Sequence, residues 1–252
     1  MPRTARKKSE TGIYHIILRG INRQTIFEED DDCIRFLETL KKYKENDEYQ
    51  IYAYCLMGNH IHLLLREEKE ELGLIMRRIG ASYVYWYNCK YDRVGHLFQD
   101  RYKSEAIEDD RYLLTVLRYI HRNPVKAGMV KHIKDYQWSS YSEYIHKSSI
   151  IDRDFVLNLF NHEEETAINS FQEYHEINDE GACLDIDESR RISDNEAREI
   201  IKKICGIDKC TDIQNLDNEK RNRYLKSLRK TGISTRQLAR LTGINRNIIL
   251  KL

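Results

Sequence analysis

No stretch of this 252-residue sequence approaches the length of an apolar membrane-spanning helix, and the charged start, MPRTARKKSE, is followed by no signal-peptide core. Those absences argue against a membrane partner and make the cytoplasm the expected location. The six cysteines (33, 55, 89, 183, 205 and 210) form no CxxC pair. Neither a structural zinc site nor a disulfide framework is therefore expected, and reduced thiols suit that compartment. No internal repeat or low-complexity tract is present. Net charge is almost absent too, at +1, but it is unevenly spread. Residues 1–150 carry 25 Lys+Arg against 22 Asp+Glu, residues 151–200 carry 4 against 15, and residues 201–252 carry 13 against 4. A basic piece beyond an acidic stretch suggests a nucleic-acid contact on a separate module, against the plainer reading of a solvated basic helix face.

Periodicity divides the first part of the chain into strands and helices. Residues 12–19, GIYHIILR, read as a strand, and DDDCIRFLETLKKYKEN reads as a helix with acids at its start and Ile34, Phe36, Leu37, Leu40 and Tyr43 near helical spacing. YQIYAYCLM and HIHLLLR read as two strands joined at Gly58-Asn59, a hairpin-type dipeptide. A helix over 72–91 follows, then a strand across GHLFQDRYKSEAI, then a helix over EDDRYLLTVLRYIHRN that closes near Pro124. The order β-α-β-β-α-β with an extra helix predicts an α+β, ferredoxin-like (RRM-like) antiparallel sheet with helices packed on it. The expected domains are residues 1–146, an acidic helical connector over 147–190, and a small all-α domain over 191–252.

The second strand of the hairpin carries two histidines one residue apart. Alternate residues of a strand share a face, with α-carbons roughly 6.6 Å apart across two residues. Ile61, Leu63 and Leu65 can then face a core while His60 and His62 face the other way. Two adjacent imidazoles could chelate one metal ion, or be ordinary hydrogen-bonded strand histidines.

The helix around Tyr119 adds the chemistry that a lone HxH lacks. Leu113, Leu114, Leu117 and Ile120 form its apolar stripe, while Tyr119 and Asn123 lie i,i+4 nearly opposite, with Tyr112 on their side. Pro124 disfavours helical geometry at Asn123, which places that amide at the helix end. A metal held by His60, His62 and the Asn123 oxygen would polarise a phosphodiester, and the Tyr119 phenolate could attack phosphorus. Tyr112 is a competing nucleophile without an asparagine at i+4. His121 reads as structural or surface, and His15 as a core histidine that could also line the sheet near the metal.

AYCLMGNHIHLLL, FQDRYKSEAI and YLLTVLRYIHRNPVKAGMV, with RGINRQTIF after the first strand, resemble the REP-associated tyrosine transposases. These are single-tyrosine transposases of the HUH superfamily, in which U is a hydrophobic residue. The resemblance covers roughly residues 8–146. It implies an HUH nuclease fold in which His60 and His62 bind a catalytic divalent metal, Mg2+ or Mn2+, with Asn123 as third ligand and Tyr119 as nucleophile. The ligand set alone would also permit zinc. The resemblance further implies single-stranded DNA cut near hairpins, leaving a 5′-phosphotyrosine and a free 3′-hydroxyl, by a monomer or a homodimer associated with the nucleoid.

Further contacts to DNA are expected from Arg19, Asn22, Arg23, Arg101 and Lys103, with Arg101 and Lys103 alternating along one strand face. At the C-terminus, LRKTGISTRQLARLTGINRNIILKL fits a helix-turn-helix that could contact duplex DNA. Ala239 is small where helices meet, Gly243 turns, and Ile244 and Ile249 pack inward. Asn245, Arg246 and Asn247 open the recognition helix, and Arg236 and Gln237 could touch backbone. The alternative is a non-transposing DNA-binding regulator that keeps the fold. A barrel amidohydrolase is excluded, because strands and helices do not alternate eightfold.

Overall fold

The computed structural model describes residues 6–47, 49–146, 150–177, 183–185 and 194–251. The chain divides into two compact units, residues 1–186 and 187–252. The boundary expected at 190–191 lies outside the described residues.

The hairpin read from the sequence sits inside the first unit's sheet. β2 (Gln50–Met57) and β3 (His60–Arg66) pair antiparallel across the Gly58–Asn59 turn. β1 (Ile13–Arg19) pairs with the other side of β3, and β4 (Lys103–Ile107) with the far side of β1, giving the antiparallel order β2-β3-β1-β4. With α1 (Asp30–Asp47) between β1 and β2 and α2 (Leu72–Lys90) between β3 and β4, this is the expected ferredoxin-like α+β arrangement. β1 and β3 are buried on both faces, which is why each reads as a near-continuous apolar run rather than an alternation.

α1 begins with Asp30, Asp31 and Asp32, whose charges oppose the helix dipole. The Asp32 carboxylate accepts the Glu28 and Glu29 N–H groups at 2.7 and 3.0 Å and meets Lys90 Nζ at 2.7 Å, tying the start of α1 to the end of α2. Cys33, Phe36 and Leu40 supply the buried stripe. Ile34, expected inside, is 46% exposed because it falls a full helical step off that stripe.

Three further expectations are corrected. The strand expected over 95–107 is formed only by Lys103–Ile107; Phe98 makes one bridge to Gly20, and Arg101 precedes the strand instead of alternating with Lys103 along it. α3 (Asp110–Lys126) does not stop at Pro124. It continues one more turn, with Ala127 N–H donating to the Asn123 carbonyl at 2.9 Å, so Asn123 lies within the helix. α3 is also buried on two sides. Tyr119 faces the sheet, while His121 faces α6 (Glu164–Glu176), where His121 and His175 pair at 2.9 Å.

The acidic stretch is not a free connector over its described part. Ser140 N–H donates to the Tyr54 carbonyl, and Asp152 N–H to that of Ile51, so the chain after α3 runs beside β2. α4 (Tyr141–Ile145), α5 (Arg153–Asn158) and α6 then add Tyr144, Val156, Leu157, Ala167 and Phe171 to the first unit's core. Acids occupy the outer faces of these short helices, which hid their core residues in the composition.

The second unit is all-α. α7 (Asp194–Cys205), α8 (Asn218–Arg229), α9 (Thr235–Thr242) and α10 (Arg246–Leu250) surround Ala197, Ile201, Leu225, Leu228, Leu238 and Ile249. Ser234 caps α9 through the Gln237 N–H, and Gly243 closes it in the left-handed region at φ 72°. Ile244 and Ile249 are buried as the spacing required.

Candidate active site

β3 turns His60 and His62 toward α3. His60 pairs with Arg19 of β1 and Met57 of β2, and His62 with Ile17 and Cys55. Their ring centroids are 5.1 Å apart. His60 Nδ1 lies 2.7 Å from the Asn59 side-chain oxygen. That oxygen only accepts, so the proton belongs on Nδ1 and the Nε2 lone pair is left for another ligand. His62 Nδ1 lies 3.1 Å from Nε2 of His15, whose ring stacks on it. His62 Nε2 is buried and has no hydrogen-bond partner.

Tyr119 of α3 closes over this row. Its ring meets His15 and His62 edge-on at 5.8 and 5.7 Å. The hydroxyl is also buried and makes no hydrogen bond of ordinary geometry. Two buried polar atoms left unpaired in touching side chains are costly unless something else binds there. Asn123 is buried one turn on, and its Nδ2 donates to the Tyr119 carbonyl at 2.9 Å, which leaves Oδ1 as the end of the amide that could coordinate.

Burial and charge set the protonation states. Burial, helped by Arg19, pushes His60 down to about 4. Burial, with the neighbouring His15 and His60 and Lys126, holds His62 well below its usual range. Burial lowers His15 too, against the pull of Glu105. All three are therefore neutral at neutral pH, as metal ligands and their supports must be. Tyr119 is pushed up, by burial first and then by the Asp185 carboxylate. Free phenol already ionises only near about 10, so this tyrosine needs help to lose its proton.

Several of these neighbours were not legible as site residues. Glu105 pairs with His15 across β1 and β4, its carboxylate 3.9 Å from His15 Nδ1. Lys126 lies 5.5 Å from the centre of the Tyr119 ring and 3.3 Å from Asp185. Residues 183–185 return to the site from far along the chain, Leu184 N–H donating to Glu105 at 3.0 Å. Tyr112, the rival nucleophile, lies instead beside Glu105 and Cys183, which with burial raise its pKa. His121 is structural: fully buried, it contacts Ser140 Oγ and His175 at 2.9 Å each.

Residues 8–123 match the family described as Transposase IS200 like. This part of the chain belongs to that family. A protein assigned as a REP-associated tyrosine transposase in Haemophilus influenzae is 27% identical over 131 residues, 48% of this chain and 74% of that protein. The REP-associated tyrosine transposase of Escherichia coli K12 is 26% identical over 102 residues, 40% of this chain and 59% of its own length. A solved structure of a REP-associated tyrosine transposase bound to a REP hairpin shares the fold, with a TM-score of 0.51 and 20% identity over 58% of this chain and 87% of that one. The fold is thus that of a tyrosine transposase, and the matched residues include His60, His62, Tyr119 and Asn123.

In this transposase domain the expected DNA contacts separate into groups. Arg19 and Lys103 share the histidine face of the sheet, by their register with His60 and Ile17. Asn22 and Arg23 form a turn after β1 with φ of 51° and 64°, beside the β2–β3 turn, where Asn59 Nδ2 donates to the Arg23 carbonyl at 3.4 Å. Arg101 is exposed in the loop before β4. In the helical unit Arg236, Arg246 and Asn247 are exposed. Gln237 donates to Asp194 at 2.9 Å, and the Asn245 side chain caps α10 through the Asn247 N–H, so both are partly committed to the fold. Among the described residues no helix is long and apolar enough to cross a membrane.

Proposed function

We propose that the transposase domain cuts single-stranded DNA beside hairpins through a covalent 5′-phosphotyrosine on Tyr119, with a divalent metal, and can rejoin the strand. The observation that carries this reading is the contact of the Tyr119 and His62 rings, with the hydroxyl and Nε2 both buried and unpaired. Among the described residues no three His, Cys, Asp or Glu side chains form a ready metal cluster. Two neutral imidazoles and an amide oxygen nevertheless suit a divalent ion, and His60 Nε2, His62 Nε2 and Asn123 Oδ1 are the atoms that would hold it. Bound there, Mg2+ or Mn2+ would draw charge from the scissile phosphate.

The chain's own groups do the rest. Arg19 and Lys103 hold the strand against the histidine face by its phosphates. Tyr119 loses its proton to solvent and its oxygen bonds to phosphorus, while the bond from phosphorus to the 3′-oxygen breaks. The departing 3′-oxygen takes up a proton and leaves as a hydroxyl. Because the phosphodiester energy stays in the phosphotyrosine, a 3′-hydroxyl can later attack it and release Tyr119. The hairpin substrate is inferred from the relative solved with a REP hairpin. The helical unit is proposed to add duplex contacts through Arg236, Arg246 and Asn247, with Gln237 and Asn245 as supporting residues.

The test uses labelled single-stranded hairpin oligonucleotides from DNA flanking the gene, with Mn2+ or Mg2+, and a denaturing protein gel. A covalent adduct with wild type and Tyr112→Phe, lost in Tyr119→Phe, is the expected result. An adduct that survives Tyr119→Phe assigns the chemistry to another residue. Tight binding without any adduct would instead favour the DNA-binding regulator.

A further inference from the structure

His62 is one end of a row of three polar side chains that crosses the sheet. His15 Nε2 meets His62 Nδ1 at 3.1 Å, and His15 Nδ1 faces the Glu105 carboxylate at 3.9 Å. The row follows from strand register, because Glu105 lies opposite His15 on β4 and His62 lies two pairs along β3 from Leu64, the partner of His15, and so on the same face. His15 and His62 are fully buried, and His15 Nδ1 makes no hydrogen bond at this distance. Glu105 is itself anchored by the Leu184 N–H at 3.0 Å, so its charge is fixed beside the row.

We infer that Glu105 and His15 are positioning residues that set the tautomer of His62, keeping its Nε2 bare toward Tyr119. The two neutral imidazoles share one proton along their contact, so only two arrangements are open. In the first, His15 points its Nδ1–H at Glu105 and its Nε2 accepts the Nδ1–H of His62, leaving His62 Nε2 as a lone pair. In the second, every proton is reversed. His15 then aims a lone pair at a carboxylate, and His62 presents N–H to the site, where it cannot ligate. The fixed negative charge of Glu105 selects the first arrangement. Histidine ligands commonly give their second N–H to a carboxylate, which fixes the ring and its tautomer. Here a second histidine is interposed, so the carboxylate acts on the ligand from one residue further away. The sequence spacing cannot reveal this row, since its members come from three strands.

This inference rests on the reading of His62 as a metal ligand, and the experiment separates the two. Histidine 15N NMR on the metal-free full chain at pH 8 reads the His62 tautomer, and Mn2+ titration followed by electron paramagnetic resonance reads affinity. Wild type is expected to carry the proton on Nδ1. Glu105 Oε2 faces both the Leu184 N–H and His15 Nδ1, so Glu105→Gln can keep the Leu184 contact through its amide oxygen while removing the charge that orders the row. His62 should then show a mixture of tautomers with a large Nε2–H share, and Mn2+ affinity should fall about tenfold. Glu105→Asp should retain the wild-type tautomer. If Glu105→Gln does not fold, Glu105→Ala is measured in the same way and should give a mixture of tautomers. An unchanged His62 tautomer after loss of the carboxylate overturns the inference, whatever the affinity. A wild-type chain that binds no Mn2+ overturns the ligand reading alone, because the tautomer is read without metal.

Discussion

Tyr119 presents its ring edge to His62, with centroids 5.7 Å apart and planes at 78°. A tyrosine on a helix and a histidine on a central strand are thereby held in one site by packing rather than by a direct hydrogen bond. Removing only the hydroxyl should leave that packing intact. Tyr119→Phe is expected to bind hairpin DNA within about twofold of wild type while forming no covalent adduct; binding is read by mobility shift at fixed salt, since salt sets affinity. A tenfold loss of binding would mean that the hydroxyl serves recognition.

The Asp185 carboxylate raises the Tyr119 pKa on top of the larger effect of burial. Asp185→Asn removes the charge and should let the phenol ionise at lower pH. The rising limb of the pH profile for adduct formation should therefore move toward acid, with Asp185→Glu close to wild type. A profile that stays in place in Asp185→Asn would disconnect this carboxylate from Tyr119.

Stability should fall as pH drops below about 6.5, the usual histidine range. His60 is held down to about 4 and His175 to about 3, and His15, His62 and His121 are also lowered, in each case first by burial. Between those values and 6.5 the unfolded chain binds protons that the folded chain does not, so unfolding free energy rises with pH across the window. Thermal melts of the metal-free protein should show a midpoint that declines steadily from pH 7 to pH 4. A flat midpoint would mean that these histidines are protonated in the fold.

A Cβ at Gly20 would stand 2.3 Å from the Gln24 carbonyl oxygen and 2.9 Å from the Ile26 side chain. The backbone cannot yield cheaply there, because Gly20 N–H donates to the Asn59 carbonyl at 2.9 Å and Ile26 N–H to that of Gly58 at 2.8 Å. Gly20→Ala should cost about 1–3 kcal/mol. Urea unfolding should show this as a lower midpoint at unchanged slope.

In the helical unit, Arg236→Ala and Arg246→Ala should each weaken duplex binding. Each should also reduce the slope of log affinity against log salt by about one. Neither substitution should change the melting temperature, since both side chains are exposed. Unchanged salt slopes would remove these arginines from the DNA contact.

The parts legible in the sequence were those written in local spacing. The Gly58-Asn59 hairpin, the alternation of His60 and His62 with Ile61 and Leu63, and the i,i+4 relation of Tyr119 to Asn123 need only strand and helix periods. What was missed depends on partners far along the chain. The row through Glu105 and His15 requires knowing which strands adjoin β1, and Asp185 reaches Tyr119 from 66 positions away. Pro124 misled because a proline can sit in a helix that tertiary packing holds on both sides, as α3 is held by the sheet and α6. Phe171 was obscured by the acids around it, although it is wholly buried.

β3 is flanked by a hydrogen-bonded strand on each side, whereas Tyr119 hangs from a helix that carries a proline five residues on, two residues before its end. The histidines can be released only by taking the sheet apart. The tyrosine can withdraw when one helix end opens, an excursion that costs less than global unfolding. The histidines and the tyrosine of this site therefore answer to different clocks. Amide exchange would be slowest at His62 and faster after Asn123, and a covalently attached strand could be swung away from its cutting position without loosening the histidines beneath it.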